Sequence, residues 1–267
     1  LDKLEKINAE TTCLKLALYQ GPSPQGDTSE AMRRIDDMLS AAALAGARMM
    51  VFPELFLPGY NQMQSPAFAT QRTGEAWETA FSELTKKHGC GLCIGWAELT
   101  QNGIYNAASC FDHAGQKRAH YRKQHLYGPI EKSVFNAGQG DCVFELDGVK
   151  TAILICYDVE FAHRVRALRE HDVDLILVPT ANPIAFGKVS DVLVPARANE
   201  NRVTIAYANY CDAENGLTYG GRSVIVGPDG DVLAAAGRGE ALLIVNLNAV
   251  DRIDTSMLST QREDLRA

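Results

Sequence analysis

Short strands that are apolar on both faces constrain this chain more than any other feature. Met49–Phe52, the run Ala152-Ile153-Leu154-Ile155 and Leu175–Pro179 show no alternation between apolar and polar positions. Such strands need cover on both sides, and helices packed over a largely parallel sheet supply it. The stretches between them have the matching pattern. Residues 30–47 place Met32, Ile35, Met38, Leu39, Ala42 and Ala43 at helical spacing before Gly46, and 75–88 set Trp77, Phe81 and Leu84 on one face. Further helices are predicted near 161–170 and 188–202. Strands are predicted at 14–20, 91–98, 104–112, 116–122, 203–209, 223–227 and 241–247. A hairpin through Asp147-Gly148 joins 142–147 to 149–156, and Pro228-Asp229-Gly230 makes a tight turn. Strands and helices that interleave in this way define an α/β protein.

No Pro/Ser-rich spacer, like-charge block, low-complexity tract or solenoid-period repeat divides the 267 residues. One domain over 1–267 is therefore expected, with polar 251–267 as a tail or an arm that contacts another subunit. With 46% hydrophobic residues the chain can bury a sizeable core. Its formal net charge of −7 repels a phosphate backbone and no basic run offsets it, so nucleic acid is not an expected partner. No run approaches the roughly 20 apolar residues of a membrane span. The N-terminal LDKLEKINAE is charged where a secretion signal is apolar. Seven cysteines, an odd number, do not look like a disulfide framework, and a cytoplasmic location is expected.

Three segments put a reactive residue type at the end of a strand. In Val51-Phe52-Pro53-Glu54-Leu55-Phe56 an apolar strand delivers a carboxylate to a position where burial raises its pKa towards that of a general base. In His120-Tyr121-Arg122-Lys123-Gln124-His125-Leu126, alternation puts Tyr121 and Lys123 on one face and Arg122 on the other. The ammonium can then face a thiolate or a developing oxyanion. In Thr151-Ala152-Ile153-Leu154-Ile155-Cys156-Tyr157-Asp158 a cysteine closes an apolar strand just before a helical pattern. That is the pattern of a nucleophile elbow, a sharp turn that exposes the sulfur and aims backbone N–H groups at a carbonyl. A helix N-terminus and a nearby ammonium are both expected to lower the thiol pKa and supply thiolate. Taken singly, each segment also fits an ordinary role: a solvated Glu, a solvated basic strand end, a cysteine packed as a small hydrophobe. The combination discriminates.

Together, Phe52-Pro53-Glu54, Tyr121-Arg122-Lys123 and Ile155-Cys156-Tyr157-Asp158 resemble the Glu–Lys–Cys triad of the nitrilase superfamily of carbon–nitrogen hydrolases, in the same chain order. The resemblance runs from about Leu16 to about Val245. It takes in Pro179-Thr180-Ala181-Asn182, Arg197-Ala198-Asn199-Glu200-Asn201 and the stretch from Gly221-Arg222-Ser223 to Gly227-Pro228-Asp229-Gly230. It implies a four-layer α-β-β-α sandwich, assembled as a homodimer or larger homo-oligomer through helices that include the one after the nucleophile. It implies no metal and no organic cofactor. Glu54 is then the general base, Cys156 the nucleophile and Lys123 the stabiliser of the tetrahedral intermediate, with the Tyr157 backbone N–H as a second oxyanion donor. Glu131, eight residues after the lysine, matches a further pocket carboxylate that orients the amide nitrogen. The implied reaction is hydrolysis of a small non-peptide amide by water, through an acyl-enzyme that forms with loss of ammonia.

Within the superfamily the chain is most similar to short aliphatic amidases, aminovaleramide and R-stereoselective amidases among them. The shared stretches are Cys156-Tyr157-Asp158-Val159-Glu160-Phe161 and Tyr207-Ala208-Asn209-Tyr210-Cys211. One departure is Phe161-Ala162-His163, where the superfamily commonly has Phe-Pro-Glu; His163 is a candidate replacement contact near the elbow.

Tyr60, Tyr157, Glu160 and Asn182 are the candidate substrate contacts. Tyr60, like Phe135 and Phe186, also fits core packing, and Glu160 either faces an amine-bearing substrate or is solvated at a helix N-terminus. Zinc is rejected at His88, Cys90 and Cys93, because a single C-x-x-C lacks a second pair and strand alternation points the two thiols to opposite faces. No phosphate-binding glycine loop and no Gly-x-Ser-x-Gly occurs. Nitrile or N-carbamoyl amine hydrolysis by the same triad, and a catalytically silent binding member of the fold, are the competing readings.

Overall fold

The computed structural model describes residues 14–63, 68–247 and 253–264. Its first sheet comprises β1 (Lys15–Gln20), β2 (Met49–Val51), β3 (Gly91–Thr100), β4 (Gly103–Phe111) and β5 (Lys117–Arg122). The second comprises β6 (Val143–Leu146), β7 (Val149–Ile153), β8 (Leu175–Pro179), β9 (Thr204–Ala208), β12 (Val224–Val226) and β13 (Val232–Ala235). A two-stranded ribbon, β10 (Ala213–Glu214) and β11 (Leu217–Thr218), stands apart. The last strand, β14 (Ala241–Asn246), returns to the first sheet, which runs β14-β1-β2-β3-β4-β5; the second runs β13-β12-β9-β8-β7-β6. The inner strands pair parallel, β1-β2-β3 in one sheet and β7-β8-β9 in the other. Antiparallel strands flank them.

Side-chain alternation sorts the first sheet into two cores. Leu16, Leu18, Met49, Val51 and Cys93 point into the core between the sheets. Ala17, Tyr19, Met50, Leu92, Ile94 and Trp96 point outward under α1 (Thr28–Leu44) and α2 (Ala76–His88), which contribute Ile35, Leu39, Trp77 and Phe81. Burial of each large side chain contributes roughly 1.5–3 kcal/mol, against about 1 kcal/mol for a helix cap. The apolar face of α1 therefore outweighs its Asp27 N-cap, whose carboxylate accepts from the Ser29 and Glu30 backbone N–H groups. Beyond the short α3 (Gly128–Val134), the outer face of the second sheet is covered by α4 (Ala162–Glu170) and α5 (Val194–Asn201) through Val165, Leu168, Val194 and Ala198. The layers are α-β-β-α. Cys90 and Cys93 lie in different cores, Cys90 under the helices and Cys93 between the sheets.

Several boundaries differ from the sequence reading. The strand over 149–156 ends at Ile153, and the helix over 188–202 opens with a π-turn, Val189–Leu193, before α5. The sequence pattern did not reveal α3, the β10–β11 ribbon or the edge strand β13. All three are short, and β13 exposes Val232, so none carries a sustained periodicity. Of the stretch 251–267, the described part contacts its own chain. Arg202 donates to the Ser259 carbonyl and pairs with Glu263 at 2.8 Å, which lays α6 (Gln261–Asp264) beside the end of α5. Residues 251–252 and 265–267 lie outside the described residues. Among the described residues no helix is long and apolar enough to cross a membrane.

Candidate active site

Beyond β2, β5 and β7 the chain leaves its sheets and brings Glu54, Lys123 and Cys156 together. Phe52 N–H donates to Cys93 O at 2.9 Å and Glu54 N–H donates to Thr180 O at 3.3 Å, so the glutamate's backbone is tied to both sheets. It also passes close over β3: a Cβ on Gly95 would lie 2.7 Å from Glu54 Cα, which only glycine avoids. Lys123 is fixed on the other side, its N–H donating to Asn106 O and its carbonyl accepting from Gly138 N–H, both at 2.8 Å. Gly138 is needed there too, since a Cβ would meet Arg122 O at 2.1 Å. Cys156 has φ 47°, in the left-handed region where a side chain is strained and must be held by its surroundings.

Asp158 holds it. This buried carboxylate accepts from Ile155 N–H at 3.3 Å, Tyr121 OH at 2.9 Å, His125 N–H at 2.9 Å and His125 Nδ1 at 2.7 Å. One side chain thus clamps the turn that carries the cysteine to the segment that carries the lysine. Cys156–Glu160 is a 3-10 turn, and α4 begins only at Ala162. Tyr157 stands near the start of that turn, where backbone N–H groups lack partners within it.

Lys123 Nζ donates to Glu54 Oε1 at 2.7 Å and to Glu131 Oε1 at 2.8 Å, with the lysine and Glu54 side chains 0% exposed. Asn106 Nδ2 donates to the same Glu54 oxygen at 2.7 Å. Glu54 Oε2 is buried with no partner among the described residues. Glu131 is held at both oxygens, Oε1 also accepting from Tyr60 OH at 2.7 Å and Oε2 from Tyr127 N–H at 2.8 Å. Burial pushes the Glu54 carboxyl up; the Lys123 ammonium opposes this, and Glu131 reinforces it. Burial works against the charge on Lys123, yet the two carboxylates outweigh it and hold the ammonium well above its ordinary value.

The sulfur behaves otherwise than the sequence suggested. Burial and the Glu54 charge push the Cys156 thiol well above its ordinary value, despite Lys123 and a backbone hydrogen bond from Ala181. The expected thiolate is corrected to a resting thiol for two reasons. An intervening 3-10 turn separates the sulfur from the α4 N-terminus, and the single ammonium is already shared by two carboxylates. Cys156 is 8% exposed, and its exposed part lines a cavity of about 600 Å³.

Glu131, Tyr60, Tyr157, Glu160 and Asn182 line the same cavity. Tyr60 does both things the sequence allowed: its ring packs against the core and its OH donates to Glu131 at the cavity. Asn182 is already committed, its backbone N–H donating to Asn209 Oδ1 and its Nδ2 to Tyr207 OH, each at 2.7 Å. His163 is exposed and makes edge-on ring contacts with His125 and Phe161, so it does not act as a polar replacement contact. Two residues of the site went unassigned in the sequence. Asp158 stood beside the cysteine, and Asn106 was a polar interruption in an apolar strand, a signal that could have exposed it. Among the described residues no group of three or more His, Cys, Asp or Glu could hold a metal ion.

The carbon–nitrogen hydrolase family model matches residues 15–255. The protein described as "Hydrolase in pqqF 5'region" from Pseudomonas protegens is 40% identical over 239 residues, covering 88% of this chain and 83% of its own. An (R)-stereoselective amidase from Pseudomonas sp. is 30% identical over 253 residues, covering 94% and 89%. Among solved structures, a cysteine-to-alanine mutant of the amidase from Nesterenkonia sp. AN1, in complex with butyramide, superposes with a TM-score of 0.84. It is 32% identical, with 95% of this chain and 94% of that one covered.

Proposed function

The chain belongs to the carbon–nitrogen hydrolase family, and we propose that it hydrolyses a small aliphatic amide to the carboxylic acid and ammonia through a thioester on Cys156. The observation that carries this reading is the buried Glu54–Lys123 pair, anchored by Asn106 and Glu131, whose charges act on a cysteine at the cavity wall. Nucleophile, base and counter-charge all come from the chain's own side chains.

In this mechanism the sulfur attacks the amide carbonyl while its proton passes to Glu54 Oε2, the oxygen left without a partner. The carbonyl oxygen takes the electron pair and is stabilised by the Lys123 ammonium and the Tyr157 backbone N–H. Glu131 accepts from the amide nitrogen and keeps it turned towards Glu54. The intermediate collapses as Glu54 returns its proton to the nitrogen, the C–N bond breaks and ammonia leaves. Water then attacks the thioester, giving a proton to Glu54. The C–S bond breaks, the acid is released and the proton returns to sulfur. Because the thiol rests protonated, Glu54 must be ionised for attack to begin.

The inter-sheet core shared by both sheets supports treating the chain as one hydrolase domain. A homodimer joined through α4 is the assembly expected with it, and sedimentation velocity tests that. Ammonia release from butyramide, set beside a panel of nitriles and N-carbamoyl amines, tests the activity. Turnover of nitriles alone, with every amide inert, would overturn the amidase assignment.

A further inference from the structure

We infer, resting on the amidase reading above, that Glu214 is a positioning residue for the reaction. It clasps the β10–β11 ribbon to the turn that carries Tyr60, and acts through Tyr60 and Glu131 on the Lys123 ammonium. The ribbon closes through Asn215 and Gly216, at φ 46° and 82°, the left-handed pair that suits a two-residue hairpin. Its pairing is limited to Ala213 with Thr218 and Glu214 with Leu217, and a hairpin so short is at best marginally stable alone. Yet Asn215, Gly216 and Leu217 form part of the cavity wall. The tie that holds them there is made to Tyr60–Gln62. Glu214 Oε2 accepts from Asn61 N–H and Oε1 from Gln62 Nε2, both at 2.9 Å. Asn61 Nδ2 donates to the Glu214 carbonyl at 3.0 Å, and Asn215 Nδ2 returns a bond to the Asn61 carbonyl at 3.0 Å.

Glu214 is 1% exposed, and its third donor, Tyr219 OH, is neutral like the other two. A buried carboxylate served by neutral donors is less favourable than an apolar side chain of its size, so packing does not account for it. Space is reserved for it as well: a Cβ on Gly59, directly before Tyr60, would lie 2.5 Å from Glu214 Oε1. What the clasp fixes is the reach of Tyr60. Its OH donates to Glu131 Oε1 at 2.7 Å, and Lys123 Nζ donates to that same oxygen at 2.8 Å. The two donors share one acceptor. With Tyr60 in place, part of the Glu131 charge is met by a neutral hydroxyl; with Tyr60 displaced, that oxygen falls to the ammonium alone. Lys123 is then held more tightly by Glu131, and less of its charge faces a thiolate or a developing oxyanion.

The test is a double-variant cycle on the whole protein: Glu214→Ala, Tyr60→Phe and the two combined. One readout is kcat and KM for ammonia release from butyramide. The other is the rate at which iodoacetamide alkylates Cys156, followed by intact mass with Cys156→Ala as the blank. We expect each single variant to lower kcat and the alkylation rate by roughly tenfold, the scale of one hydrogen bond to a charged group. The combined variant should be no slower than the slower single one, because the clasp acts through the hydroxyl that Tyr60→Phe removes. Asn61→Ala loosens the clasp from the other side without emptying a buried site, and should give a smaller loss that likewise vanishes in the Tyr60→Phe background. It decides the matter if Glu214→Ala does not fold. A residue that merely holds the fold or shapes the wall would act independently of the Tyr60 hydroxyl, and its losses would multiply with those of Tyr60→Phe. Multiplying losses, or wild-type rates in Glu214→Ala, would overturn the proposal while leaving the amidase reading intact. If wild type released ammonia from no amide, that reading would fail on its own, and the alkylation cycle would still decide this one.

Discussion

Glu131→Gln separates a carboxylate that merely packs from one that tunes the base. The substitution preserves size but removes a charge and one acceptor oxygen. Glu131 Oε1 accepts from Lys123 and Tyr60, and Oε2 from Tyr127 N–H, so whichever way the amide turns, its NH2 faces a donor. At least one charge-assisted bond is lost, worth roughly 1.5–3 kcal/mol, which corresponds to about a 10- to 150-fold fall in kcat/KM. The pH profile carries the sharper signature. In wild type the Glu54 carboxyl is held up by burial and by Glu131, so activity should disappear on acidification above the ordinary carboxylate range. Removing the Glu131 charge deletes that repulsion and leaves the Lys123 ammonium to Glu54 alone. Both effects lower the Glu54 pKa, and the acid limb of kcat/KM should move to lower pH. Initial rates of ammonia release from butyramide across a pH series measure both quantities. A full-rate variant with an unmoved acid limb would refute the assignment of Glu131 to this charge network.

Other substitutions probe separate links. Cys156→Ala should abolish turnover yet leave the unfolding free energy from urea titration within about 1–2 kcal/mol of wild type, since one small sulfur at the cavity side of the core is all that is removed; intact mass should show an acyl adduct on wild type alone. Gly95→Ala would place a Cβ 2.4 Å from Leu55 N and 2.7 Å from Glu54 Cα, so it should cost about 1–3 kcal/mol of stability and most of the activity together, measured by urea titration and ammonia release. On β3, Glu98 accepts from Arg122 at 2.6 Å, Thr73 at 2.7 Å and His120 at 3.1 Å. Burial raises its carboxyl, but these bonds prevail and hold it well below the usual range. A depressed folded pKa stabilises above the unfolded value near about 4 and is lost as pH falls through the folded one. Glu98→Gln should therefore cost about 1–2 kcal/mol at neutral pH, after allowance for the partly exposed Arg122, and progressively less below the unfolded value.

What could be read from the sequence was what periodicity and strand ends encode. The doubly apolar strands β2, β7 and β8 required cover on both faces; α1, α2, α4 and α5 provide it on the outer faces and the opposing sheet provides it on the inner ones. The alternation that placed Tyr121 and Lys123 on one face holds in space: both are buried, and Arg122 turns the other way to Glu98. What could not be read depended on partners distant in the chain. Asp158 acts through Tyr121 and His125, 37 and 33 residues away, and Asn106 acts through Glu54. The thiol was misjudged for the same reason. A nearby ammonium lowers a thiol pKa only while its charge is free, and two carboxylates already claim this one.

That shared ammonium dictates how the nucleophile must be generated. A resting thiolate would place three negative charges, on Glu54, Glu131 and sulfur, around one buried Lys123, and like charges so placed cannot all stay ionised. Keeping the proton on sulfur until attack leaves the net charge of the cluster constant, because the proton only moves from Cys156 to Glu54. The hydrogen bonds are arranged for that transfer. Lys123 and Asn106 both bind Glu54 Oε1, which fixes the carboxylate and leaves Oε2 unoccupied by any described donor. The glutamate's backbone is pinned beside the second sheet at Thr180, and Asp158 pins the cysteine's turn to the segment on both sides of Lys123, through Tyr121 and His125. The base therefore belongs to one sheet and the nucleophile to the other, and the seam between the sheets sets the distance the proton has to cross.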